Sequence, residues 1–149
     1  MNQPKDKIYL SGAIQFAKDP NSWRLTLIKK LSKYYDFFNP MDVILPQEIY
    51  DLKDSYQKYE WIYNNIVIKD LNGLDSCNHM FIKLDKACFK GSGTVSEITL
   101  ANLLNIHMFY ILDDIKFTDI PIWTRSCLYN ADNLKDIPYA IKFLTNLCK

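Results

Sequence analysis

Four short apolar runs punctuate the chain, and between them apolar residues recur at three- and four-residue steps. Residues 7–11 (KIYLS) run apolar up to Gly12. Residues 35–38 (YDFF) stop at Asn39-Pro40, where the missing proline N–H ends a ladder. Residues 80–84 (MFIKL) and 107–112 (HMFYIL) complete the set, the last so continuously apolar that it reads as a strand buried on both faces. The spaced segments between them predict helices. After the start signal Asp19-Pro20-Asn21-Ser22, a helix reaches about Lys33 with Trp23, Leu27, Ile28 and Leu31 on one face. A long helix over residues 54–74 places Tyr59, Ile62, Tyr63, Ile66, Val67 and Leu71 on its buried side.

A third helix covers about residues 94–104, and a closing one about 136–147 with Pro138 in its first turn and Ala140, Ile141, Leu144 and Leu147 inward. Residues 41–54, with Pro46, read as an irregular loop over the site. Residues 113–130 read as loop-rich, with a last strand around 127–129. Strands alternating with helices predict an α/β fold: a parallel sheet of about five strands with helices on both faces. The 149 residues form one domain on this reading, with no repeat, low-complexity stretch or linker.

Composition narrows the function classes. Apolar residues make up 48% of the chain, enough for a full core. A net charge of +1 with both signs interspersed gives no electrostatic case for nucleic acid or an anionic membrane as partner. No run approaches the roughly 20 apolar residues that span a bilayer, and MNQPKDKIYL lacks a signal-peptide core, so the expectation is a cytoplasmic protein. Cys77, Cys88, Cys127 and Cys148 follow no CxxC or CxxH spacing and read as free thiols. With only His79 and His107 besides, no metal is expected.

Glycine is scarce, at four residues, and two of these stand in Gly91-Ser92-Gly93-Thr94 ahead of the third helix, with Gly12 closing the first strand. So sparing a use points to places where backbone bends sharply or meets a ligand. A strand, a glycine turn and a helix start make an anion- or sugar-binding corner in α/β proteins. Glu97 lies in the first turn of that helix. Thr94-x-x-Glu97 also fits a capping box, in which the carboxylate reaches back to a backbone N–H. The other reading makes Glu97 a carboxylate nucleophile facing a bound sugar. Asp70 falls four residues after Ile66 and eight after Ile62, on the apolar face of its helix, where a carboxylate must be paired or functional. Two carboxylates at one sheet edge suit glycosidic-bond cleavage, one attacking the anomeric carbon and one managing protons.

The order IYLSGAIQF, SWR, FNP, IVIKDLNGL, GSGTVSEITLA and HMFYIL resembles the nucleoside 2-deoxyribosyltransferase family, with its relatives the deoxynucleoside 5′-monophosphate N-hydrolases. The resemblance covers about residues 7–112 and weakens beyond Asp113. It implies a flavodoxin-like, Rossmann-like sheet, no cofactor, a small-molecule nucleoside or nucleotide substrate, and a homo-oligomer whose neighbouring subunit helps complete the site. Carried over by position, Glu97 matches the nucleophile that attacks C1′. Asp70 matches the aspartate near sugar and departing base, Tyr9 the tyrosine positioning the nucleophile, and Gly12 the turn beside the base. Transfer to a second base or hydrolysis by water would follow, and a binding module that has lost turnover is a further alternative.

One departure stands out. The family's transferases usually carry Asp six residues before the nucleophile, where this chain has Gly91; the hydrolases usually have Ser there, and here Ser92 comes one residue later. Gly91, Ser92, Gly93 and Thr94 would suit a phosphate on backbone N–H groups and two hydroxyls. The hydrolases' first-loop Ser and Arg appear as Ala13 and Gln15, with Arg24, or Arg125 of a neighbouring subunit together with its Ser126 hydroxyl, to replace the cation. Phe16 is placed to stack on a base. Trp23, Trp61 and Trp123 read as core or interface, with Trp123 the best stacking candidate among them. Asp85 reads as a surface loop residue, and His79 and His107 as structural.

Overall fold

The computed structural model describes residues 3–43 and 45–149. Five strands, β1 (Lys7–Gly12), β2 (Asp36–Phe38), β3 (His79–Leu84), β4 (His107–Leu112) and β5 (Asp132–Asn133), form one parallel sheet in the order β2-β1-β3-β4-β5. This is the flavodoxin-like order. Its connections leave β1 in opposite directions toward β2 and β3, which opens a crevice at the carboxyl ends of β1 and β3.

Each face of the sheet is covered by helices because β1, β3 and β4 carry apolar residues on both sides. Ile8, Leu10, Phe81, Phe109 and Ile111 pack under α1 (Ser22–Leu31) and α7 (Ile137–Leu147), against Trp23, Leu27, Leu31, Ala140 and Leu144. Tyr9, Met80, Ile82, Leu84, Met108 and Tyr110 face the other way. There they meet Leu74 of α4 (Ile68–Asp75), Ile98 and Ala101 of α5 (Gly93–Leu103), and Leu128 after α6 (Ile122–Cys127). The helix starts follow their sequence signals. Asp19 accepts from Ser22 N at 3.1 Å ahead of α1, and Asp136 accepts from Tyr139 N at 2.8 Å to cap α7.

Several expectations are corrected. Residues 41–54 are not wholly irregular: a 3₁₀ turn, Pro40–Asp42, and a short helix, α2 (Gln47–Tyr50), occupy part of the segment, and its Ile44 lies outside the described residues, as do Met1 and Asn2. Residues 122–127 are helical, and the fifth strand lies at 132–133 instead of 127–129. Leu147 is exposed. None of the four glycines has a positive φ, so their scarcity does not mark left-handed turns.

The long helix is also not uniform. It runs as α3 (Tyr56–Ile62), a π-helical turn (Tyr63–Val67) and α4. A π turn takes one residue more than an α turn, so a face counted at 3.6 residues per turn is displaced across it. Ile62, Ile66 and Leu71 stay half-buried, while Tyr59, Tyr63 and Val67, expected inward, are exposed together with Tyr56.

Candidate active site

The pleat of β1 sorts its side chains. Tyr9 and Ser11 face α4 and α5, while Leu10 and Gly12 face α1. Both β1 hydroxyls are fully enclosed, as are Glu97 Oε2 on α5 and Asp70 Oδ1 on α4, and none of the four atoms has a hydrogen-bond partner of normal geometry among the described residues. Native interiors rarely leave buried polar atoms unpaired, and four from three elements facing one point mark a place built for something other than packing. Tyr9 and Ser11 do lie near enough to Glu97 to favour its charged form, although no bond closes between them.

The electrostatics follow from this enclosure. Glu97 is half-buried as a residue with its Oε2 enclosed, and desolvation is the main reason its pKa rises to about 7. The Asp70 charge pushes the same way, whereas Ser11, Tyr9 and Arg24 oppose it. Asp70 rises to about 6 through its own desolvation, moderated by Arg24. Tyr9 is driven far above the usual phenol range, first by burial and then by the two carboxylates, so it stays an O–H donor. Two carboxylates that titrate near neutrality fit a pair sharing nucleophilic and proton-transfer work.

Tyr9 is held by a stack of fitted parts. Its ring lies on Phe38 at 5.2 Å between centroids and 8° between planes. Phe38 in turn presses into α4 at Gly73, where a Cβ would fall 2.3 Å from the ring. Arg24 works from the opposite side of the sheet. It is completely buried, its Nε donates to Leu10 O at 3.3 Å, its Nη2 to Gly12 O at 2.9 Å, and its Nη1 to Pro20 O. Burial lowers its pKa to about 10, which leaves it a cation at neutral pH, and its charge favours the ionised carboxylates. Its donors are therefore committed to backbone, not turned toward a ligand phosphate. Gly12 is fixed by the same clamp: a Cβ there would sit 3.0 Å from the Trp23 ring and 3.4 Å from Arg24 Nη2.

The turn before α5 is open. Gly91, Ser92 and Gly93 are exposed, and Ser92 occupies the N-cap position without its hydroxyl capping the helix. Thr94 is buried beside Cys88, so of the two hydroxyls expected at this turn Ser92 is the accessible one. Because the helix begins at Gly93, Thr94 is inside it and no capping box joins it to Glu97. Phe16 is exposed in the loop after β1 and lies alongside Gly91, 3.5 Å from where a Cβ would be, while Ala13 is half-buried against the core. Trp123 sits on α6, exposed, donating to Thr99 Oγ1 at 3.1 Å. Asp85 caps the turn after β3 by accepting from Cys88 N at 3.2 Å, and pairs with Lys83. His79 and His107 pair with Asp6 and Asp132 at the opposite edge of the sheet.

The structure thus brings Glu97, Asp70 and Tyr9 together, puts Arg24 and Gly12 behind them, and sets Phe16 and the glycine turn at the rim. Ser11, Phe38 and Gly73 are contributions that sequence reasoning missed. A serine closing an apolar strand just before glycine was the available signal for the first. A separate groove of about 390 Å³ between β2 and α4, lined in part by Lys7, Asn39, Lys69 and Asn72, contains none of the four unpaired atoms. Among the described residues no three His, Cys, Asp or Glu side chains are arranged to hold a metal ion.

No family model matches the chain, and no curated protein sequence matches it. Solved structures do. A conserved protein from Enterococcus faecalis V583 superposes with a TM-score of 0.70 at 15% identity, covering 96% of this chain and 99% of that one. A 2-deoxyribosyltransferase from the psychrotolerant bacterium Bacillus psychrosaccharolyticus superposes with a TM-score of 0.62 at 15% identity, covering 93% and 94%. The likeness is one of fold. It extends over nearly the whole of each chain, so the sheet edge bearing Glu97 belongs to an architecture shared from end to end. Among the described residues no helix is long and apolar enough to cross a membrane.

Proposed function

We propose that this protein cleaves the N-glycosidic bond of a 2′-deoxynucleoside, or of its 5′-monophosphate, and transfers the deoxyribosyl group to another nucleobase. The observation that carries the reading is the Glu97 carboxylate, its Oε2 enclosed and unpaired beside the hydroxyls of Tyr9 and Ser11, with the Asp70 carboxyl nearby. A glutamate that merely stabilised its helix would face solvent or a backbone N–H. The solved 2-deoxyribosyltransferase with the same fold supports the substrate class.

In this mechanism a Glu97 carboxylate oxygen attacks C1′. The C1′–N bond breaks with its electron pair going to the base nitrogen, which takes a proton from Asp70 or from water. Asp70, titrating near 6, holds a protonated share at neutral pH and can give it to the leaving base. A nitrogen of the incoming base then attacks C1′ as its N–H proton passes to Asp70 or to water, the glycosyl ester bond breaks, and Glu97 leaves as carboxylate. Hydrolysis, with water as the acceptor, is the second reading. The exposed Ser92 hydroxyl at the start of α5 favours it, because an anionic 5′-phosphate would find donors there.

The active form is a homo-oligomer with a shared site. The exposed row Tyr56, Tyr59, Tyr63 and Val67, on the segment leading into Asp70, supports this, since so apolar a helix face is rarely left in water. Size-exclusion chromatography with light scattering checks it, and a fully active monomer rules the shared site out.

The deciding experiment is chromatography of reactions with deoxynucleosides and their 5′-monophosphates, each with and without a second free base. A new nucleoside that forms only with the added base establishes transfer. Free base without exchange makes the protein a hydrolase, and inertness toward every substrate moves the binding-module reading forward. Mass spectrometry of quenched enzyme should show one added deoxyribosyl group, absent in Glu97→Gln.

A further inference from the structure

The chemistry above uses Glu97, Asp70 and Tyr9 and leaves Ser11 unemployed. Ser11 is 0% exposed at the end of an otherwise apolar run, and its Oγ is enclosed without a partner. A strand hydroxyl usually finds a neighbouring carbonyl. An enclosed one without a protein partner costs stability, and alanine would fill the same space without that cost. The pleat puts Ser11 two residues from Tyr9 on the same face, directly under α5, so both hydroxyls address one carboxylate from one strand.

We propose that Ser11 is a positioning residue: its Oγ–H donates to the charged Glu97 carboxylate in parallel with the Tyr9 Oη–H, tethering the carboxylate to β1 with one oxygen directed at the sugar. This rests on Glu97 being the nucleophile. Two donors from a rigid strand do what one cannot, since a single hydrogen bond leaves the carboxylate free to turn about it. The other groups facing Glu97 are Tyr9 on β1 and Asp70 on α4, with the Arg24 charge on α1 acting through the sheet, and the buried Cys88 thiol lies in the turn before α5, held neutral by its enclosure. Among the donors near Glu97, Ser11 can be removed by the smallest change, with no change of charge.

The test reads Glu97 directly. The chain has three glutamates, Glu48, Glu60 and Glu97, so carboxyl-¹³C-glutamate labelling gives three resonances, and the one lost in Glu97→Gln is assigned. In Ser11→Ala the Glu97 midpoint is expected to rise by about one pH unit, because a hydrogen bond to the charged form is gone. Ser11→Cys, with a weaker donor of similar size, is expected to fall between the two. The acidic limb of kcat/KM should move with the midpoint, giving about a tenfold loss below it and a smaller one above it. A Glu97 midpoint unmoved in both variants overturns the proposal, whatever happens to activity. If the midpoint moves but wild-type protein never forms the deoxyribosyl adduct, Ser11 still holds Glu97 and the nucleophile reading fails instead.

Discussion

Replacing Glu97 by glutamine takes a charge out of a largely desolvated place, and should raise the stability of the folded chain relative to wild type as the pH rises. Its pKa rises from 4.5 to about 7 on folding, chiefly through desolvation. Between those values the folded chain holds a proton that the unfolded chain has released, so stability declines with rising pH through that window. The decline is complete above the folded pKa and corresponds to about 3 kcal/mol. Glutamine has the same shape and does not titrate. Its amide can accept from Tyr9 and Ser11, but its NH₂ group lacks an evident partner, which adds an offset of about 1–3 kcal/mol that does not vary with pH. The diagnostic quantity is therefore the slope. Urea unfolding followed by circular dichroism from pH 4.5 to 8.5 should show the variant gaining about 3 kcal/mol on wild type across that range while losing deoxyribosyl transfer altogether. A difference that stays flat with pH would mean that the Glu97 carboxyl is hydrated, and the argument from enclosure would be wrong.

Three further outcomes follow from the geometry. Asp70→Asn should cut turnover by at least about a hundredfold. It should also lower the Glu97 midpoint, because the Asp70 charge holds it up, in a sense opposite to Ser11→Ala. Unchanged rates would remove Asp70 from the chemistry. Gly73→Ala should destabilise by about 1–3 kcal/mol despite alanine's better helix propensity, since its Cβ would overlap the Phe38 ring. A thermal melt reads the loss, and reduced kcat at unchanged KM would report the disturbed Tyr9 stack. Arg24→Met should cost about 3–5 kcal/mol by leaving carbonyls of Leu10, Gly12 and Pro20 unpaired, and chemical denaturation measures it. A loss below about 1 kcal/mol would show that water replaces the guanidinium.

The sheet was legible where burial is two-sided. Residues 107–112 coincide with β4, and 80–84 fall one residue short of β3, because strands covered on both faces must be apolar throughout. β5 was misplaced because it is two exposed polar residues, Asp132 and Asn133, held by pairing to β4 and carrying no apolar signal. Residues 122–127 fell inside a stretch read as loop-rich, because a helix of six residues is too short for its periodicity to show, even though proline just before a helix is compatible with its start. Asp70 was found because a carboxylate on an apolar stripe is conspicuous in one dimension. Ser11 was not, because its significance depends on a helix some eighty residues later in sequence. Arg24 was assigned outward to a ligand, and the carbonyls that claim it become neighbours only once β1 and α1 pack.

The π turn at Tyr63–Val67 sets where this chain can lose length. Elsewhere between Tyr56 and Asp70, removing a residue would rotate everything upstream by about 100° relative to Asp70, carrying the tyrosine row to another side. Within the π turn the extra residue can be dropped and the coil closes to an ordinary α turn, with Asp70 and Tyr59 both keeping their bearings. Deletion scanning across the segment should therefore find one tolerant window five residues wide, flanked by positions where a single deletion disrupts the helix.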